Sequence, residues 1–185
     1  MFISKQFWLP IVGATALGVA WVWAGEQSAT RYGLGRPATE AEIRAWNIDV
    51  SPTGEGLPSG RGTVKHGAQV YAAKCAACHG PTGVEGPQDR LVGGQGTLAT
   101  AEPVKTVGSY WPYATTLYDY IQRAMPLTAP QSLTPDEVYS VVAWILFRNG
   151  IIDEDAVLDA RTLPAIRMPN REGFAPDPRP DVPSR

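Results

Sequence analysis

Apolar positions recur at helical spacing in three stretches of this chain, and no stretch shows a strand-length alternation. Between Val64 and Ala77, the residues Gly67, Tyr71 and Cys75 fall four apart, so a helix over this span stacks them along one face. Between Ala114 and Ala124, the residues Leu117, Tyr120, Ile121 and Ala124 form an apolar stripe at the same period. The third stretch carries the fullest set of signals. Thr134 is an N-cap, Pro135 occupies the first helical position and Glu137 completes a capping box. Val138, Val141, Val142, Ile145 and Leu146 then make a broad buried face, and Gly150 stands where a left-handed residue ends a helix. The pattern predicts an all-α fold of three core helices.

The flanks read differently. An uncharged apolar run extends from Phe7 to Ala24 behind Lys5, and small residues follow it. Its roughly 18 residues would span about 27 Å as a helix, close to the ~30 Å hydrocarbon core. Residues 1–29 are therefore either a cleaved export signal or a retained membrane anchor through residues 7–24. Both place the rest of the chain outside the cytoplasm, with Lys5 left inside. Residues 30–61 are rich in glycine and proline and read as a linker packing on the domain, with a short helix starting at the Thr39 cap and including Ala41, Ile43 and Trp46. The domain proper covers residues 62–152. Residues 153–185 form a largely irregular C-terminal extension. In it, Asp153, Glu154 and Asp155 open a short helix through Leu158 and Ala160, and the prolines beyond Phe174 predict an extended or disordered end.

The formal net charge of −2 over 185 residues leaves no basic stripe, which excludes nucleic acid as a partner. Cysteine use is sharper. The chain has only two, Cys75 and Cys78, and His79 follows at once. Cys-Ala-Ala-Cys-His is a haem-attachment pattern. On one helical turn the two thiols face the same way and can add to the two vinyl groups of a porphyrin, while His79 lies beneath the ring and reaches the iron. A thioredoxin-like dithiol needs a βαβ context that is missing. Outside the motif only His66 is left as an imidazole for a zinc site, and it reads as an exposed helix residue.

A sixth iron ligand must come from elsewhere. The methionines are Met1, Met125 and Met168. Met125, beside Pro126 and just past the second helix, is the favoured candidate, against its competing role as core packing. Met168 reads as a surface or packing residue. The N–H of the ligand imidazole should donate to a backbone carbonyl near Pro87. Tyr110 and Trp111 have polar groups that could reach the haem propionates.

Gly67, Tyr71, the Cys75–His79 motif, Gly86-Pro87, Met125-Pro126 and the final helix with Trp144 resemble a class I cytochrome c domain. That fold implies that the first and last helices cross, with Gly67 and Tyr71 meeting Val141 and Trp144. Several stretches are similar to the SoxD-type cytochrome subunits, a family that includes the cytochrome subunits of sulfite dehydrogenases. They are Gly33–Thr39, Ile48–Val50, Gly56–Pro58, Asp89–Gly94, Val104–Tyr113, Arg123–Pro126, Ala129–Leu133, Asp136–Tyr139 and Met168–Arg171. The resemblance implies one covalent haem c with Cys75 and Cys78 as thioether anchors and His79 and Met125 as axial ligands. It also implies a periplasmic electron-transfer subunit that accepts electrons from a molybdenum-cofactor dehydrogenase acting on sulfite or sulfane sulfur. The acceptor would be another cytochrome c or a terminal oxidase. Larger members carry a second haem domain, whereas this chain has one motif. Two alternatives remain open: a membrane-tethered cytochrome subunit of another respiratory complex, and a haem enzyme acting directly on peroxide or thiols.

Overall fold

The computed structural model of the chain describes residues 34–177 and 179. The apolar run at 7–24 and the tail beyond Arg179 lie outside the described residues. Among those described, no helix is long and apolar enough to cross a membrane. Residues 1–37 and 38–185 form two separate units. The described end of the first, Leu34–Pro37, has no regular structure.

The second unit is mostly helical. Helix α1 (Glu40–Trp46) is closed by a capping box between Thr39 and Glu42. Strand β1 (Arg61–Thr63) leads straight into α2 (Val64–Lys74), and α3 (Ala76–His79) follows after a break at Cys75. Helix α4 (Ala114–Ala124) matches the second periodic stretch, and α5 (Pro135–Arg148) has the expected Thr134–Glu137 capping box. Gly150 has the left-handed φ of 67° expected past the end of α5.

The core forms where α2 and α4 pack on α5, which is buried along most of its length. A Cβ on Gly67 would lie 1.9 Å from the Ser140 carbonyl oxygen, so the α2–α5 crossing needs a residue without a side chain. The Tyr71 ring stacks on Trp144 at 3.8 Å between centroids. Across the crossing Gly67 thus lies against Ser140 and Trp144, and Tyr71 against Trp144.

Three expectations are corrected. The helix through Ala77 is two helices, because the chain turns at Cys75 (φ −121°, ψ −36°). On α4 the buried face is Ala114, Leu117, Tyr118 and Ile121, while Tyr120 is 45% exposed and meets Trp111 edge-on. No helix starts at Asp153. Instead strand β2 (Val157–Asp159) pairs antiparallel with β1, Gly62 opposite Leu158, and puts Leu158 into the core. This pairing was invisible in the sequence because three residues are too few for an alternation to register. Of the two roles open to Met168, surface or packing, the structure shows packing: it is 1% exposed, in the core.

Candidate functional site

The site begins where α2 ends. The Cys75 N–H donates to the Tyr71 carbonyl at 2.9 Å, and the Cys75 carbonyl accepts from the N–H groups of Cys78 and His79 at 3.1 and 3.0 Å. Cys75 is therefore the last cap of one helix and the first of the next, and α3 carries Cys78 and His79 within a single turn. Both thiols are free, Cys75 half-buried against the core and Cys78 exposed. Burial pushes the Cys75 thiol up to about 11, with Lys74 opposing and Cys78 adding to the rise. A thiol held protonated is unlike the depressed thiol of a redox dithiol.

The loop after α3 folds back onto it. A Cβ on Gly86 would sit 2.1 Å from the Cys78 carbonyl oxygen, so the backbones pass at contact distance. The Gln88 N–H donates to that same oxygen at 3.0 Å. This return sets the register in which His79 Nδ1 lies 2.8 Å from the Asp89 carbonyl. A carbonyl only accepts, so Nδ1 carries a proton, and in the neutral imidazole Nε2 is then the nitrogen with the free lone pair. The orienting carbonyl belongs to Asp89, two residues beyond the position expected at Pro87, because the tight passage at Gly86 uses up the intervening chain. The Tyr71 hydroxyl donates to the Gly80 carbonyl at 2.9 Å and ties the end of α3 to α2.

Met125 caps α4, its N–H bonded to the Ile121 carbonyl at 3.0 Å, so the last turn of the helix sets its backbone. Its side chain is half-buried against the core, as are those of Cys75, Ala76, Leu91 and Trp111. Tyr110 packs edge-on to Phe174 at 5.3 Å with Lys105 over its ring, and its carbonyl accepts from Asn170. His66 is engaged elsewhere. The Ser140 hydroxyl donates to the Asp136 carbonyl, so His66 Nδ1–H donates to Ser140 Oγ at 3.1 Å. Among the described residues, no group of three or more His, Cys, Asp and Glu side chains is placed to hold a metal ion.

One feature near the site has no counterpart in the sequence reading. Asn149, just past α5, accepts from Gly93 N–H at 3.0 Å and donates to the Leu91 and Ile145 carbonyls at 3.2 and 2.9 Å. Thr106 donates to the Gly93 carbonyl and Ser109 to that of Val104, which closes a polar network under the loop from Leu91 to Tyr110. An asparagine directly before the helix-ending Gly150 was the one available signal.

The donor set fits a covalently held haem. Two free thiols three residues apart, an imidazole held at one nitrogen with the other left for iron, and half-covered apolar side chains are what a flat apolar ring with an iron centre needs.

Residues 62–145 match the family model described as cytochrome c oxidase, cbb3-type, subunit III. A chain of the crystal structure of the sulfane dehydrogenase SoxCD from Paracoccus pantotrophus is 43% identical, with a TM-score of 0.75 over 80% of this chain and 74% of that one. No curated protein matches.

Proposed function

Since this chain belongs to the cytochrome c family, in its SoxD-type branch, we propose that it is a monohaem electron-transfer subunit serving a molybdenum-containing sulfite or sulfur dehydrogenase. In this role Cys75 and Cys78 would hold the haem through thioethers, and His79 Nε2 and the Met125 thioether would be the ligands to its iron. When bound, the haem supplies one-electron Fe(III)/Fe(II) chemistry.

The observation that carries the proposal is the His79–Asp89 hydrogen bond of 2.8 Å beside two free thiols. The Asp89 carbonyl fixes the imidazole tautomer and ring orientation and makes Nε2 more basic. The Tyr71–Gly80 bond and the Gly86 passage hold the motif against α2, so its side chains are pre-positioned. The half-buried Leu91, Trp111 and Met125 side chains would exclude water, and a thioether ligand in dry surroundings favours ferrous iron and a raised potential. Electrons would arrive singly from the dehydrogenase and leave to another cytochrome c or a terminal oxidase. The single motif supports one haem. The apolar run at 7–24 supports a periplasmic location, free or tethered to the inner membrane.

The test is reduction of the purified holoprotein, followed in the visible spectrum. Sulfite or a sulfane-sulfur donor should reduce it only when a molybdenum dehydrogenase is added. A pigment extracted by acidic acetone would reject covalent attachment, and an unreduced pigment with every such dehydrogenase would reject the assigned donor.

A further inference from the structure

Helix α4 is held from behind by an extended strap of the N-terminal segment. Three α4 side chains, at positions 115, 119 and 122, bond to every second residue of that strap. Thr115 Oγ1 donates to the Pro52 carbonyl at 3.1 Å, Asp119 Oδ1 accepts from Val50 N–H at 2.8 Å, and Gln122 Nε2 donates to the Ile48 carbonyl at 3.4 Å. The Val50 side chain is buried in the core, and Asp119 is itself 8% exposed. The remaining capacity of the Asp119 carboxylate is taken by a fork from Arg123, whose Nε donates to Oδ1 at 3.0 Å and whose Nη2 pairs with Oδ2. Arg123 lies in the last turn of α4, and Met125 caps that turn.

We infer that Asp119 is a positioning residue. It locks the strap at residues 48–52 and the last turn of α4 into one unit, and so sets where the Met125 thioether is presented. The inference rests on Met125 being the iron ligand. The physical basis is the stiffness of the path. The Met125 N–H is bonded into the helix through Ile121, so the sulfur can move only with the helix end or by rotation of its own side chain. A buried carboxylate that accepts from both a strap N–H and an arginine fork resists displacement of that end. Without it, the Val50 N–H is left buried and unpaired and the fork is released, which favours any arrangement in which the helix end lets water in.

The experiment uses the full-length holoprotein in the ferric state. It compares wild type with Asp119→Ala, Asp119→Asn and Gln122→Ala. The first readout is the weak red charge-transfer band of methionine-ligated ferric haem. The second is the affinity for exogenous imidazole, which competes with the thioether for the iron. Asp119→Ala should weaken the band and tighten imidazole binding by about tenfold. Asp119→Asn keeps an acceptor for Val50 N–H and should recover much of the loss. Gln122→Ala, at the other end of the strap, should shift imidazole affinity by about threefold, and it decides the matter if Asp119→Ala yields no holoprotein. A lowered melting temperature with unchanged band and unchanged imidazole affinity in these variants would overturn this inference alone, leaving Asp119 as a stabilising residue. Absence of the band in wild type would overturn both the inference and the ligand assignment beneath it.

Discussion

Replacing Gly67 with alanine puts a methyl group where two helix backbones meet. The added Cβ would lie 1.9 Å from Ser140 O, 2.6 Å from Ser140 C and 2.8 Å from Trp144 Cβ. Two of those atoms are backbone, so no side-chain rotation relieves the clash. The helices must part by about 1.5 Å at the crossing to reach ordinary contact. Parting them opens the Tyr71–Trp144 stack, which now sits at 3.8 Å, and loosens the packing of the most buried helix. Overpacking of this kind costs ~3 kcal/mol, at the upper end of its usual range because the obstacle is backbone. Alanine returns ~1 kcal/mol through its better helix propensity. The net expectation is a loss of ~2 kcal/mol, or a melting temperature lowered by ~4–8 °C for a unit of this size. Urea unfolding of the holoprotein measures it, with the transition slope checked against wild type. A Gly67→Ala variant as stable as wild type would refute the claim that this contact sets the helix spacing.

Two further outcomes are expected. Burial first, and then the Asp159 charge, push the Tyr139 hydroxyl up to about 12, from an ordinary value near 10. The folded state therefore keeps a proton that the unfolded state gives up. The associated stability is fully present below pH 10 and is lost as pH rises toward 12. The urea midpoint should decline across that window, less steeply in Tyr139→Phe, which also gives up the 2.9 Å bond to the Pro58 carbonyl. Met168→Ala should cost ~2–5 kcal/mol in equilibrium unfolding, because the side chain is 1% exposed and its removal leaves a cavity. A cost below ~1 kcal/mol would show that the C-terminal extension does not belong to the core.

Part of this molecule was legible one residue at a time. Helices α4 and α5 begin and end as expected because their signals are local: apolar residues at helical period in both and, in α5, a capping box at Thr134 and Glu137, proline at the first position and glycine past the end. The Cys75–His79 motif is local for the same reason, since three donors within five residues need only one turn of helix to converge. The SoxD-type resemblance extended that reading over most of the chain, and the 43% identity to a SoxCD chain supports it.

What the sequence alone determined, then, is what lies within a few residues of itself: helices α1, α4 and α5, the caps at Thr39 and Thr134, and the attachment motif. The tertiary structure decided everything that depends on chain segments far apart. The partner of the Asp119 carboxylate is an N–H 69 residues away, and Asn170 reaches a carbonyl 60 residues back. Strand β2 exists because β1 is there to pair with it, and Met168 is buried because the returning extension carries it into the core. Even His79 takes its orienting carbonyl from Asp89 only because Gly86 lets the loop fold flat against Cys78. A hydrogen bond or a burial between distant segments leaves no periodic trace in either one, since each satisfies its own local rules in many conformations and only their meeting selects one.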